Sequence, residues 1–423
     1  MPINLPEVTQ PRVVIVGAGF AGITLAQKLS NKDYQIVLLD RNNYHQFQPL
    51  LYQVAMSGIE PSSIAFPLRK LFRGRKNVHI RVAEVQSINP AEKFLLTDEG
   101  HVNYDILVLA TGVTTNYYGN PVMESNTYAL KSVADALFLR NAILSDLEKA
   151  LTERNDEARQ KLIDLVIVGG GPTGVEMAGS LAEMRKYILP REYPELNASE
   201  MDIHLIQGDK ELLNSMTDQA SAKSRKYLED LGVHVITGVR VIGYDGSEIT
   251  LNDGQKLYAK KVIWAAGITG RKMEGLPDTC YTRDNRIKTD VYNAVPDTDS
   301  IYAIGDNAYM EEGPYKGHPQ VAQPAIQQAR RLAKNLNGIA HGKTMKPFHY
   351  KDLGSMATIG RNKAVADLPY VKTQGFIAWI LWLVVHLKSI LGVKNKLFVL
   401  LNWIWSYFTF DQNLRVIIKH RAK

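Results

Sequence analysis

A single cysteine, Cys280, in 423 residues excludes a disulfide framework, a C-x-x-C redox pair and any cysteine-ligated metal cluster. Histidines are scattered. His45, His79, His101 and His204 stand alone, so no metal site is expected and each reads as structural or surface. There is no low-complexity tract. The N-terminal MPINLPEVTQPR has neither an apolar core nor a cleavage site, so it reads as a short unstructured lead and not a signal peptide. Acidic residues almost vanish toward the C-terminus. Residues 372–423 hold one, Asp411, against eight basic residues (Lys372, Lys388, Lys394, Lys396, Arg415, Lys419, Arg421, Lys423). The formal net charge of +7 therefore resides in this tail, and the rest of the chain is neutral.

What is present is 45% hydrophobic and 22% charged, the composition of a globular chain long enough for two or three domains. Its organising stretch is LVIVGGGPTGVEM at 165–177. Four apolar residues run into Gly169-Gly170-Gly171-Pro172-Thr173-Gly174, and Val175, Met177 and Ala178 begin a helical pattern. A buried strand, a glycine turn and a helix start are the context in which G-x-G-x-x-G marks a dinucleotide site. Glycine lets the backbone turn sharply and approach a pyrophosphate, which the helix amides and dipole then face. The arrangement recurs at 13–22, where VVIV precedes Gly17-Ala18-Gly19-Phe20-Ala21-Gly22. Two such motifs in one chain predict two dinucleotide sites.

Residues 34–40, YQIVLLD, form the second strand, which ends at Asp40, 18 residues after Gly22; an acid there can accept hydrogen bonds from ribose hydroxyls. RNNYHQFQPLLYQVA (41–55) is a polar and aromatic loop before a helix, not explained by core burial. Residues 78–88 alternate as a strand, and 104–112 form a buried strand ending in Ala110-Thr111-Gly112. Residues 132–163 predict a long polar helix or helix pair. In the second unit DIHLIQ (202–207) is the strand equivalent to 34–40, but it ends in Gln207, not an acid. A helix over 217–231, a strand pair over 233–250 and a buried strand over 261–267 follow. Residues 298–306 return to strand character and end in Gly305-Asp306, a helix follows over 321–336, and 347–371 are mixed with turns at Gly354 and Gly360.

Four of the five tryptophans (Trp379, Trp382, Trp403, Trp405) lie in the basic tail. They sit within aliphatic runs, which favours a membrane surface over nucleic acid. As a helix, FIAWILWLVVHL (376–387) extends about 18 Å, short of the roughly 30 Å hydrocarbon core. LFVLLNWIWSYFTF (397–410) carries one narrow polar stripe, Asn402, Ser406 and Thr409. The expectation is two helices lying in one leaflet, with Lys388, Lys394 and Lys396 at the headgroups. A buried core or a dimer interface is the bland alternative, and a homodimer would cover the apolar surface.

The two glycine motifs, Ala-Thr-Gly at 110–112 and T-x-x-x-Y-A-x-G-D at 298–306 resemble the flavoproteins with two dinucleotide-binding domains. Within them, NYHQFQPLLYQVA (43–55), Glu176 two residues after the second motif, and Ala322-Gln323-Pro324-Ala325-Ile326-Gln327 resemble type II NADH dehydrogenases, the NADH:quinone oxidoreductases that do not pump protons. The last stretch fits the family's A-Q-x-A-x-Q motif. The resemblance implies an α/β fold of two Rossmann-like domains plus a C-terminal amphipathic helical anchor. The FAD-binding domain would comprise 1–120 and 285–350, the NAD(P)H-binding domain with a helical linker 121–284, and the membrane-association region 351–423. It implies a respiratory-chain enzyme, monotopic on the cytoplasmic face of the inner or cell membrane.

By the same resemblance, tightly bound FAD would be contacted by Gly17, Gly19, Phe20, Ala21, Gly22, Asp40, Arg41, Gln48, Thr111, Gly112, Asp306, Ala322 and Gln323, and by the Val85 backbone at the adenine. NADH would meet Gly169, Gly171, Pro172, Thr173, Gly174, Glu176, Gln207, Ala266 and Gly267. Many family members carry Glu where this chain has Gln207. A neutral amide does not repel a 2′-phosphate, so NADPH use stays open, although no Arg adjoins Gln207 to welcome it. The quinone would meet Ala322, Gln323 and Gln327, with Glu176, Gln323 and Gln327 as the catalytic set. Gln323 and Gln327 are four apart and share a helix face, where amides can donate to a quinone carbonyl without carrying charge into an apolar pocket; Gln328 reads as an ordinary neighbour. Glu176 falls in the first turn of its helix, where any carboxylate complements the dipole; a general acid there needs a raised pKa. The rival readings are a sulfide:quinone oxidoreductase, which Cys280 alone cannot equip, a ferredoxin- or rubredoxin-type reductase, and a flavin-bearing membrane adaptor resembling apoptosis-inducing factor with little turnover.

Overall fold

The computed structural model describes residues 1–410 and 415–417; Asp411, Lys419, Arg421 and Lys423 of the basic tail lie outside the described residues. The chain divides into two compact units.

The first unit comprises Met1–His45, Phe66–Thr114 and Ile268–Asp352. Its centre is a five-stranded parallel sheet in the order Ile301–Ala303, Ile106–Leu109, Arg12–Val16, Gln35–Asp40, Val78–Val82. Val13, Val14 and Ile15 of the middle strand are fully buried, as continuous apolar runs are when a parallel sheet is covered on both faces. The glycine loop after Val16 leads into helix Phe20–Lys28, against which helix Ala322–Ile339 packs. The expected strand over 78–88 is two strands. Val78–Val82 closes the parallel sheet, while Val85–Asn89 opens an antiparallel sheet with Phe94–Thr97 and Gly100–Asn103. The break comes where Ala83 N–H turns back to donate to the Asp40 carbonyl at 3.0 Å. Alternation of side chains reads the same for one long strand as for two short ones.

The second unit comprises Gln46–Ala65, Thr115–Gly267 and Leu353–Lys423. Its parallel sheet has the order His234–Thr237, Ile203–Gln207, Leu165–Val168, Lys261–Trp264. The polar stretch 132–163 is a helix pair, Val133–Thr152 and Asp156–Ile163; a capping box between Ser132 and Asp135 starts the first. Lys261, almost fully buried, is paired with Asp146 on that helix. The mixed stretch 347–371 contributes a hairpin, Ser355–Gly360 with Lys363–Asp367, extended by Lys372–Gln374. The hairpin leads into two helices, Phe376–Ser389 and Val393–Thr409. Among the described residues no helix is long and apolar enough to cross a membrane.

Helix Pro172–Tyr187 rests on hairpin strand Ser355–Gly360 through Gly179, where a Cβ would run into the Ile359 carbonyl. The contact is backbone to backbone, and only a residue without a side chain permits it. Gly179→Val is expected to lower stability by about 1–3 kcal/mol, as overpacking does, measured as a drop in the denaturant midpoint at unchanged m-value.

Candidate active site

The two glycine loops are built alike. In the first, Gly17 has φ +103° and a Cβ on it would strike the Ala110 carbonyl; in the second, Gly169 has φ +113° and would strike the Ala265 carbonyl. The third glycines, Gly22 and Gly174, lie against the carbonyls of Gly17 and Gly169. These four positions need glycine for the fold. The middle glycines do not, since a Cβ on Gly19 or Gly171 would meet nothing within 4 Å. Space in front of the middle glycine is what a pyrophosphate approaching the helix N-terminus requires. The residues present therefore fit a dinucleotide in each unit.

The strand-end side chains brace these loops. Asp40 Oδ2 accepts from Ala18 N–H at 2.7 Å, and its other oxygen accepts from Asn42 N–H at 2.7 Å. Burial pushes the Asp40 carboxyl above its ordinary pKa, and the two amides oppose the rise. Gln207 does the same work in the second unit, where Oε1 accepts from Gly170 N–H at 2.8 Å. His45, read as structural or surface, is buried and donates from Nδ1 to the Ala18 carbonyl at 2.9 Å, its ring edge-on to Phe20. It belongs to the wall of the first loop, which its sequence position alone did not reveal.

Thr111 and Gly112 follow the strand Ile106–Leu109 in the first unit, Thr111 being exposed, and Val85 is buried. Arg41 is an exposed partner of Glu84 at 3.9 Å. Asp306 adjoins Gly305, whose N–H donates to Gln328 Oε1 at 2.7 Å. Gln328 is thus not an ordinary neighbour: it is buried and holds the Gly-Asp turn. Gln323 is half-buried in the first turn of helix Ala322–Ile339. Gln327, one turn on, has both ends of its amide engaged by the Lys351 backbone: Nε2 donates to the carbonyl at 2.9 Å and Oε1 accepts from N–H at 3.1 Å. Asn335 holds Lys346 in the same two-bond manner, at 2.9 and 3.0 Å. The residues 346–351 are strapped along the helix by these two amides. Gln48 falls in the second unit, where its Nε2 donates to the Lys131 carbonyl at 3.4 Å.

Glu176 lies in the second unit, buried at the wall of a cavity of about 110 Å³. Tyr52, Trp379, Trp382 and Trp403 line the same space. Burial pushes the Glu176 carboxyl up to about 8; a long hydrogen bond from Thr358 N–H, at 3.5 Å, opposes the rise. The buried Trp382 Nε1–H meets no acceptor at hydrogen-bond geometry but lies near enough to Glu176 to offset a little more. Trp403 donates to Gln53 Oε1 at 2.8 Å, and Gln53 Nε2 donates to the Tyr52 hydroxyl at 2.9 Å. Tail tryptophans read as lipid-facing thus build the wall around this carboxyl. Elsewhere in the unit Tyr118, at φ +54°, donates its hydroxyl to the Ala266 carbonyl at 2.7 Å and covers Gly267; no sequence motif marked it.

Comparison with known proteins agrees with this architecture. Residues 11–329 match the family described as pyridine nucleotide-disulphide oxidoreductase, and residues 353–410 match the NDH2 C-terminal domain. The chain is 34% identical over 426 residues, 97% of its length and 91% of the relative's, to the type II NADH:quinone oxidoreductase Ndh of Mycobacterium tuberculosis. It is 29% identical, over 95% of its own length and 85% of the relative's, to an internal alternative NAD(P)H-ubiquinone oxidoreductase of Arabidopsis thaliana mitochondria. Among solved structures, NDH2 from Plasmodium falciparum in complex with NADH shares the fold with a TM-score of 0.89 at 23% identity, covering 97% of this chain and 100% of that one. The chain therefore belongs to the type II NADH:quinone oxidoreductases, within the pyridine nucleotide-disulphide oxidoreductase family.

Proposed function

We propose that the chain binds FAD in its first unit and NADH in its second, and transfers two electrons from NADH to a membrane quinone without pumping protons. The observation that carries this reading is the duplicated loop, in which four glycines are demanded by packing and the two middle ones face open space. When bound, the flavin accepts a hydride and passes electrons onward. The chain's own residues do the rest. Gly17, Gly19 and Gly22 cradle the FAD pyrophosphate, Asp40 holds the loop and its ribose, and Asp306, on the turn held by Gln328, reaches the ribityl chain. Gly169, Gly171 and Gly174 cradle the nicotinamide nucleotide. Neutral Gln207 stands at its ribose and leaves NADPH acceptable. One cysteine cannot ligate an iron–sulfur chain, which supports direct transfer.

Gln323 is the amide we assign to the quinone carbonyl. Gln327, already bonded twice to Lys351, holds the strap beside it. Glu176, kept protonated at neutral pH by its burial, can give a proton to a reduced quinone. A peripheral position on the cytoplasmic face of the membrane is supported by the two C-terminal helices, which expose Ile377, Val384, Leu401, Trp405 and Phe408 beside Lys388, Lys394 and Lys396. A second copy of the chain is the other occupant such a surface accepts.

The test is half-reaction kinetics on the purified yellow protein. NADH should bleach the flavin, and a soluble quinone should restore its colour; bleaching without restoration would remove the quinone from the reading. Gln323→Leu is expected to slow restoration roughly tenfold or more, the scale of one lost hydrogen bond to a developing charge, with bleaching retained. Gln327→Leu should show chiefly as lowered thermal stability.

Glu176 also makes a stability prediction. In the folded chain it holds its proton to about pH 8, whereas an unfolded glutamate releases it near roughly 4.3. Between these values the folded state binds the extra proton, so this group makes stability fall as pH rises across the window and level off above it. Glu176→Gln should match the native chain in Tm near about pH 4 and exceed it near about pH 9. Parallel Tm curves at both ends would mean the carboxyl titrates normally.

A further inference from the structure

In a fold of this kind the adenosine ribose lies at the end of the strand after the glycine loop, and an arginine near that point accommodates a 2′-phosphate. Here the strand is Ile203–Gln207. No arginine adjoins Gln207 in the sequence, but the sheet supplies one. Gln207 pairs with Thr237 of the next strand. Beyond that register Gly238 N–H donates to the Asp209 carbonyl at 2.8 Å and Val239 N–H to the Gln207 carbonyl at 3.2 Å. The next residue, Arg240, lies over Gly208. An ideal Cβ on Gly208 would stand 3.1 Å from its Cγ and 3.2 Å from its Nε, so glycine at 208 is what lets the arginine lie across the strand end.

The rest of the neighbourhood fixes its stem and leaves its head open. Arg240 N–H donates to Asn252 Oδ1 at 2.8 Å, and Asn252 N–H donates back to the Arg240 carbonyl at 2.9 Å. The residue is exposed, and among the described residues its guanidinium is paired with no carboxylate. The carboxylate at this corner is Asp209, whose Oδ2 accepts from Gln207 Nε2 at 3.1 Å and from Asn214 Nδ2 at 2.8 Å. Two neutral amides hold that charge in place and do not cancel it.

We propose that Arg240, with the amide of Gln207, seats an adenosine 2′-phosphate, so that the chain accepts NADPH as well as NADH. The inference rests on the assignment of the second unit to the nicotinamide nucleotide. A guanidinium fork suits a phosphate dianion, and Gln207 adds a donor where a glutamate would add repulsion. Asp209 sets the opposing charge, which makes the site permissive toward both nucleotides.

Isothermal titration of the purified flavoprotein with adenosine 2′,5′-bisphosphate and with ADP tests this. The native chain should bind the bisphosphate at least as tightly as ADP. Arg240→Gln and Gln207→Glu should each reduce the ratio of the two affinities roughly tenfold, the scale of one hydrogen bond to a charged group, and Arg240→Lys should recover part of it. A ratio unchanged by Arg240→Gln, or a native chain that binds ADP alone, overturns the inference. A native chain that binds neither ligand and whose flavin NADH does not bleach overturns instead the nucleotide assignment on which it rests.

Discussion

In both units the glycine loop is held from one side by a side chain at the end of the neighbouring strand. Asp40 takes the amide of Ala18, and Gln207 takes the amide of Gly170. Parallel pairing makes this possible. Val16 stands beside Leu39 and Val168 beside Ile206, so the residue one further along each second strand faces the loop that leaves the first. With the loop pinned there, its first glycine turns under a strand-end carbonyl and its third lets the helix settle on the first. The middle glycines, Gly19 and Gly171, then face open space at the helix terminus, to which an anion is attracted. An acid and an amide perform this bracing equally well, because each offers an acceptor oxygen. They differ in charge and in donor capacity, so the exchange of one for the other leaves the brace, and with it the fold, intact.

The loops were legible in the sequence because sterics leave one residue type. A position with φ above +100° pressed on a carbonyl admits only glycine, and the flanking apolar runs locate the strands. The amides of helix Ala322–Ile339 were less legible. Gln327 and Gln328 look alike in the sequence, but a rotation of one residue about the helix axis turns Gln328 inward to Gly305 and leaves Gln327 beside Lys351. Periodicity can name a face but cannot say which backbone groups wait there. Arg240 was invisible for a different reason, because strand pairing brings it beside Gly208 from 32 positions along the chain. His45 stayed ambiguous because a lone histidine carries no pattern, and the division at Ala83 because alternation does not mark where a strand changes sheets.

The tail was read from composition, and composition describes its outer surface better than its inner one. Trp382 is almost fully buried and stacks on His386 at 3.9 Å, while Trp405 is exposed. Burial lowers the His386 pKa to about 4, and its Nδ1 donates to the Trp382 carbonyl at 2.8 Å. The imidazole stacked on Trp382 is therefore neutral throughout the physiological range. Aromatic residues suit such a double duty, since each offers a large apolar surface and one polar atom.

Arg361 ties this tail to the nucleotide-binding part of its own unit. Its backbone N–H donates to Glu183 Oε1 at 2.5 Å, its guanidinium donates to the carbonyls of Ser406 and Tyr407 at 2.8 Å each, and its plane lies 3.7 Å from the Phe410 ring. These carbonyls belong to the last turn of the final helix, whose negative dipole end the cation complements. Glu183 lies seven residues after Glu176 on helix Pro172–Tyr187 and borders the same cavity. Trimming the chain ahead of Ser406 to gain solubility would remove the acceptors of a cation seated at the wall of that cavity. The two C-terminal helices and the wall around Glu176 thus belong to one folding unit, and the tail is not a detachable foot.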